Sequence, residues 1–381
     1  MAEFLWEELW WNMITGPHFI VSKVVDALIC NQMVILMIPV DLPWRHAMRM
    51  AIETEFRGRL NNDIIIEQID VVDDNPNNDN PGEFILLRFA TPAIKLGYRK
   101  SVSIQDYISC KGVIKNRVVW INGLREETAK QWIDFCRGFK HSTIENGLFV
   151  LEIQGDKAIT DDVQPLELID YKKHISSYDV QLFNSFILNN QKKYNDVWKK
   201  YIAALVADVC DTDAEISAKL LEIVNFKEQP VLDGVRQISK MQEYKRRGED
   251  PNHILSLCRN GHIEQINQRI WTAQVQVLFP IIELERVRII EKYKDEIQDV
   301  LDYKSVRQFE ERLKNAFDAE LGTLCYLMNQ WLYGNQVIPY ENERARISFL
   351  RKCRNQLAHG DCCTPEQVTQ LLDYKAFGFT L

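Results

Sequence analysis

The sequence predicts an α/β domain joined to all-α segments: a mostly parallel sheet in the first part of the chain, a helical region, then a C-terminal helical bundle. Three observations carry this expectation. Gln32-Met33-Val34-Ile35-Leu36-Met37-Ile38-Pro39 is an apolar run bounded by a turn, as in a strand buried on both faces. Strand-like runs alternate with helical patterns as far as Ile153. Beyond Pro251, apolar residues recur at three- and four-residue steps, as on helix faces. The expected domains are 1–165, 166–250 and 251–381.

The N-terminal stretch Phe4 to Trp11 spaces bulky apolar residues as a helix does, with Trp6, Trp10 and Met13 roughly along one face. A cluster of Trp could be a docking surface for a protein partner, and packing on its own domain is the plainer reading because large apolar residues are usually buried. Ile14-Thr15-Gly16-Pro17 breaks the pattern and Phe19 to Ile29 resumes it. After the first strand, Arg45 to Arg57 reads as helix and Asp63 to Val72 as a second strand. Asp73 to Pro81, rich in Asp, Asn and Pro, is a loop. Glu83 to Phe89 fits a strand or a short helix, Ser103 to Cys110 a helix, and Asn116 to Asn122 a strand. A helix around Trp132 follows, and Gly147 to Ile153 is a last strand.

This order resembles the core of AAA+ or STAND-type P-loop NTPases, and the chain departs from it where the chemistry lies. A P-loop needs G-x-x-x-x-G-K-[ST] after the first strand, so that backbone N–H groups wrap the phosphates and a Lys neutralises them. Here Val40-Asp41-Leu42-Pro43-Trp44-Arg45-His46 supplies neither glycine nor Lys. The strand that would carry a magnesium-binding acid ends in Asn122-Gly123-Leu124, and Glu126 and Glu127 fit the first turn of the next helix. The region reads as a degenerate NTPase-like scaffold or as an unrelated doubly wound domain, a binding platform in either case.

In the middle, Tyr171-Lys172-Lys173-His174, Gln191-Lys192-Lys193-Tyr194 and Trp198-Lys199-Lys200-Tyr201 interleave Lys pairs with aromatics. Base stacking could use this pattern, but a solvated helix face explains it as well, since Asp170, Asp179 and Asp196 dilute the charge. Ile202–Val209, Ala214–Val224 and Gly234–Met241 read as short helices, similar to the lid or winged-helix appendage of an NTPase. Tyr244 to Pro251 is a polar boundary. In the bundle, His262 to Leu301 is one long periodic segment that Pro280 should kink or split. Val306 to Gln330 reads as a further helix with Leu313, Phe317, Leu321, Leu324 and Met328 as its stripe, and Gly334 to Glu341 as a loop. Thr364-Pro365-Glu366-Gln367 starts the last helix with a capping residue and Pro at its first position.

The segment Ser348-Phe349-Leu350-Arg351-Lys352-Cys353-Arg354-Asn355-Gln356-Leu357-Ala358-His359-Gly360 is the most chemically pointed in the chain. It lacks Pro and Gly until Gly360, which reads as a helix stop. Positions four apart share a helix face, so Arg351, Asn355 and His359 form a polar line with Arg354 on its flank, while Ile347, Leu350 and Leu357 face a core. The spelling R-N-x3-H resembles the signature of the HEPN superfamily. Many HEPN domains are metal-independent endoribonucleases of toxin–antitoxin and phage-defence systems. The resemblance implies His359 as acid/base group, Arg354 as phosphate clamp, Asn355 as positioning residue, and Arg351 and Lys352 as RNA-binding residues. His titrates near neutrality, and Arg offers a bidentate fork to phosphate. One His is too few for two proton transfers, and HEPN domains usually pair to bring two motifs to one cleft, so the resemblance implies a homodimer through the bundle. A capping cluster at a helix end is the plainer reading of the same residues. Glu283 and Glu285 could orient the motif Arg across the bundle, or form salt bridges on their own helix.

Composition bounds these readings. A net charge of −8 and a pI near 5.5 disfavour broad nucleic-acid binding but allow a local basic cleft. The acidic N-terminus lacks a signal-peptide pattern, and the run Met33–Val40 is too short to span a bilayer. Nine cysteines without C-x-x-C point to reduced thiols in the cytoplasm and away from a zinc site. The expected protein is thus cytoplasmic; the HEPN resemblance implies RNA (possibly tRNA) as partner, with neither metal nor cofactor. The alternative is a non-catalytic scaffold in a defence complex. A third reading is an NTP-binding regulator with an unorthodox site.

Overall fold

The computed structural model describes residues 6–60, 64–74, 80–140, 142–155, 163–304, 306–308, 311–332 and 334–373. The chain divides into two compact units: residues 1–183, 211–215 and 247–250 form one, and 184–210, 216–246 and 251–381 the other. The fold is a parallel-sheet α/β unit and a helical unit.

The α/β unit is built on five strands, β1 (Val34–Ile38), β2 (Ile65–Asp70), β3 (Arg117–Leu124), β4 (Leu148–Gln154) and β5 (Glu167–Asp170), in the order β2-β3-β4-β1-β5. Every neighbouring pair is parallel, with Val34 in register with Val150 on one side and Glu167 on the other. β1 is buried along its whole length, as its unbroken apolar run requires. β5 was not foreseen: Glu167-Leu168-Ile169-Asp170 is short and flanked by carboxylates, and it is recruited by pairing with β1.

The helices of this unit are α1 (Trp6–Met13), α2 (Thr15–Ile29), α3 (Arg45–Arg59), α4 (Val71–Asp74), α5 (Pro81–Phe89), α6 (Pro92–Gly97), α7 (Ile104–Cys110), α8 (Glu126–Arg137) and α9 (Tyr171–His174); the boundary between the units falls within α10 (Ser177–Asn189). The ambiguous stretch before Phe89 is a helix because Pro81 stands at its first turn and Asn80 accepts the Gly82 N–H. Part of the Trp-face expectation is corrected. Trp10 and Trp11 are fully buried, Trp10 edge-on to Phe183 and Trp11 against Tyr171, and only Trp6 and Met13 face outward. Two of the three proposed docking anchors are therefore core. Phe4, Leu5, Asp63, residues 75–79 of the expected loop, and residues 309 and 310 lie outside the described residues.

The helical unit comprises α11 (Asp196–Cys210), most of α12 (Ala214–Ile223), α13 (Val231–Ser239), α14 (Ile254–Arg259), α15 (Ile263–Lys292), α16 (Lys294–Tyr303), α17 (Leu321–Leu327), α18 (Glu341–Ala358) and α19 (Pro365–Leu372). α15 packs against α11, α18 and α19. Pro280 lies inside α15 without ending it; the expected split comes at Tyr293 instead. The helix expected over Val306–Gln330 is also corrected. Two short antiparallel pairs, β6 (Arg307–Gln308) with β7 (Glu311–Arg312) and β8 (Trp331–Leu332) with β9 (Asn335–Gln336), flank α17 and a single turn of tight helix at Ala316–Asp318. The reason is tertiary. The Gln298 amide donates to the Lys314 carbonyl at 2.9 Å and accepts the Ala316 N–H at 3.1 Å, spending on α16 the backbone groups a helix would need. Leu313, Leu321, Leu324 and Met328 are still buried, whereas Phe317 is exposed.

The aromatics of the Lys-aromatic segments are interior: Tyr171, Tyr194, Trp198 and Tyr201 are all buried, leaving Lys192, Lys193 and Lys200 on an exposed face. The solvated-face reading fits these segments. No helix among the described residues is long and apolar enough to cross a membrane.

Candidate functional site

α18 carries the R-N-x3-H segment and is anchored by its buried face, Ile347, Leu350, Cys353 and Leu357. Two ion pairs fix its N-terminal half, one to an exposed lysine and one buried. Glu343 accepts from Lys292 Nζ at 2.6 Å and from the Tyr293 hydroxyl. Arg346 forks onto Glu285, its Nε and Nη2 each donating at 2.7 Å. Glu285 therefore does reach across the unit to α18, but to Arg346 rather than to the motif Arg354; Glu283 stays on its own helix with Arg286. At the other end, the Trp271 indole N–H caps the Leu357 carbonyl at 2.7 Å, and Gln356 donates to the Cys362 carbonyl at 2.7 Å. Gly360 ends the helix at φ +88°, a conformation that favours glycine.

His359 is the C-terminal capping residue: its backbone N–H donates to Asn355 O at 3.0 Å, and its side chain is exposed. Asn355 is half-buried and its Oδ1 accepts from Arg354 Nη1 at 3.4 Å. Arg354 is half-buried, with Nη2 3.6 Å from Glu320 Oε2. Arg351 and Lys352 are exposed. Arg351 lies beside the Cys325 thiol of α17, whose pKa burial raises despite the opposing pull of Arg351 and Ser348. The helix thus brings all five expected residues together within about two turns, Arg351, Lys352 and His359 exposed and Arg354 and Asn355 half-buried. Glu320 was not anticipated; its position in sequence gives no sign of its partner. His253 and His262, the other histidines of this unit, stand at the starts of α14 and α15, where the His253 ring accepts the Leu255 N–H.

The α/β unit holds a second polar centre, at the carboxyl end of β1 where the resemblance would place phosphates. Arg247 Nη2 donates to the Asp41 carbonyl at 2.9 Å and pairs with Asp213 at 2.9 Å and, through Nη1, with Glu215 at 2.6 Å. Gly248 N–H donates to Asp41 Oδ1 at 2.9 Å, and the Trp44 N–H to Glu215 Oε2 at 2.9 Å, with Trp44 held in a left-handed conformation at φ 43°. Burial raises the Glu215 pKa against the pull of Arg247. Burial would lower that of Arg247, but Asp213 and Glu215 outweigh it and raise it. The loop that lacks glycines therefore spends its backbone groups on the chain's own charges.

In the same unit, Glu152 is fully buried on β4 and accepts two bonds from Arg49, at 2.7 and 2.8 Å, one from the Trp120 indole at 2.7 Å, and contacts from Arg45. Burial favours its neutral form, but Arg49, Arg45 and Trp120 together hold its pKa below the usual carboxylate value. A carboxylate inside the apolar run Leu148–Ile153 is the sequence sign of such a site.

Together these features define a class: a parallel five-stranded α/β unit joined to a helical unit that presents an Arg-Asn-x3-His helix end. No family model matches the chain, and a comparison with curated proteins gave no match. Among solved structures, the chain is similar to a chain in that of Drosophila ORC bound to GC-rich DNA and Cdc6, with 11% sequence identity, 97% of this chain and 72% of that chain covered, and a TM-score of 0.23.

Proposed function

We propose that the protein is a metal-independent endoribonuclease of a prokaryotic conflict or anti-phage system, with the α/β unit as a sensing or recruiting platform that does not hydrolyse nucleotide. The observation that carries this reading is the end of α18, where His359 is exposed one turn beyond Asn355 and Arg354. Cleavage needs a base to take the ribose 2′-OH proton, so that the 2′ oxygen attacks phosphorus and the P–O5′ bond breaks, and an acid to protonate the departing 5′ oxygen. His359 serves one transfer. A second copy of the chain, paired through the helical unit, supplies the other His359. Arg354 meets the charge on the phosphate, Asn355 positions it, and Arg351 and Lys352 hold the flanking backbone. The test is incubation of the purified protein with tRNA in EDTA. Wild type gives discrete fragments and His359→Ala gives none, while both unfold at the same temperature; equal behaviour of the two on RNA refutes the proposal.

A scaffold in a multi-protein defence complex is the second reading. Its support is the Asp41–Arg247 network, together with Glu320, whose carboxylate stands 3.6 Å from Arg354.

A further inference from the structure

Tyr201 of α11 is 3% exposed and lines a cavity of about 250 Å³ within the helical unit. One bond reaches its hydroxyl, from Gln274 Nε2 at 3.1 Å. The direction of that bond is fixed by the rest of the amide. Gln274 Oε1 accepts the Cys363 N–H at 2.7 Å, and Nε2 also donates to the Cys363 carbonyl at 3.0 Å. Turning the amide over would set N–H against N–H and oxygen against oxygen. The Tyr201 oxygen therefore accepts, and its own proton finds no acceptor among the described residues. Burial raises the phenol pKa, so that proton stays in place. A buried donor without an acceptor is costly, and native structures rarely leave one.

The remaining wall says what would meet that proton. Leu205, Phe226, Val231, Ile270 and Val368 make the wall largely apolar, and the polar side chains of Gln229, Asn267 and Thr364 also stand on it. We propose that this cavity is a binding site for a small, mainly apolar molecule carrying one acceptor oxygen, a carbonyl, which takes the Tyr201 hydroxyl proton. A cavity of about 150 Å³ already holds benzene, so the space suits a phenyl ketone. Cys362, Cys363 and Thr364 form part of the wall, and they are the turn that joins α18 to α19. A bound carbonyl, the Tyr201 hydroxyl, the Gln274 amide and the Cys363 backbone then make one hydrogen-bonded chain, so occupancy is felt in the turn that follows His359. The site stands independently of the ribonuclease reading.

The test compares two probes of nearly equal shape, acetophenone and isopropylbenzene, titrated into the full chain and followed by the Cys363 amide resonance. Acetophenone binds the wild type about tenfold more tightly, the worth of one hydrogen bond. Tyr201→Phe abolishes the difference and keeps isopropylbenzene binding, which also shows that the cavity persists. Equal affinities in the wild type, or binding of neither probe because the space holds only water, overturn the proposal; the wild-type comparison decides this without a variant.

Discussion

Glu152→Gln is the perturbation whose cost the structure fixes most closely. The carboxylate is fully buried and neutralises two guanidiniums, of which Arg49 is itself largely buried. Gln keeps the shape but offers one acceptor oxygen and turns an N–H pair toward groups that only donate. Removing one partner of a buried ion pair costs about 3–5 kcal/mol, and the partial exposure of Arg45 places the change near the lower end, about 3 kcal/mol. For a unit of this size each kcal/mol moves the midpoint by about 2–4 °C, so thermal unfolding followed by near-UV circular dichroism falls by about 6–12 °C. The pH dependence has a definite sign. The folded pKa lies below that of an unfolded Glu, about 4.3, so the stabilisation is complete above that value and is lost as pH falls through the folded pKa. Glu152→Gln flattens this acid limb. A midpoint within 2 °C of wild type, or an unchanged acid limb, refutes the reasoning.

Arg346→Met strands the buried Glu285 carboxylate and lowers stability by about 3–5 kcal/mol in urea titration, and adding Glu285→Met recovers most of it. Thr364→Ala removes the capping box at the start of α19 and costs about 1 kcal/mol, seen as faster hydrogen exchange at Gln367. On RNA, Arg354→Ala slows cleavage about 100-fold or more by removing charge stabilisation at the phosphate. Arg351→Ala instead weakens binding and lowers the slope of affinity against salt by about one, measured by fluorescence titration.

Local patterning made the sheet legible where it was strong. β1, β3 and β4 are apolar runs, and the sequence marks them because burial on both faces leaves no room for polar alternation. β5, four residues with a carboxylate at each end, becomes a strand only because β1 offers it a partner. The Val306–Gln330 stripe was real as burial and misleading as secondary structure, since Gln298 claims backbone groups in the middle of it. The motif segment, its stop at Gly360 and its apolar face were all readable between Ile347 and Gly360. Its surroundings were not: the Arg346–Glu285 pair spans 61 positions, and Arg247 reaches Asp41 across 206. Spacing rules describe neighbours on one element, and ion pairs between distant segments leave no periodic trace.

The central claim, that α18 ends in a ribonuclease centre, is tested most directly by the chemistry of the product ends. Transfer RNA is digested in EDTA with wild type and with His359→Ala, and the 3′ termini are read by mass spectrometry. Wild type is expected to leave 2′,3′-cyclic phosphates and the variant to leave the RNA intact. Fragments ending in 3′-hydroxyl, or cyclic phosphates produced equally by both proteins, contradict it.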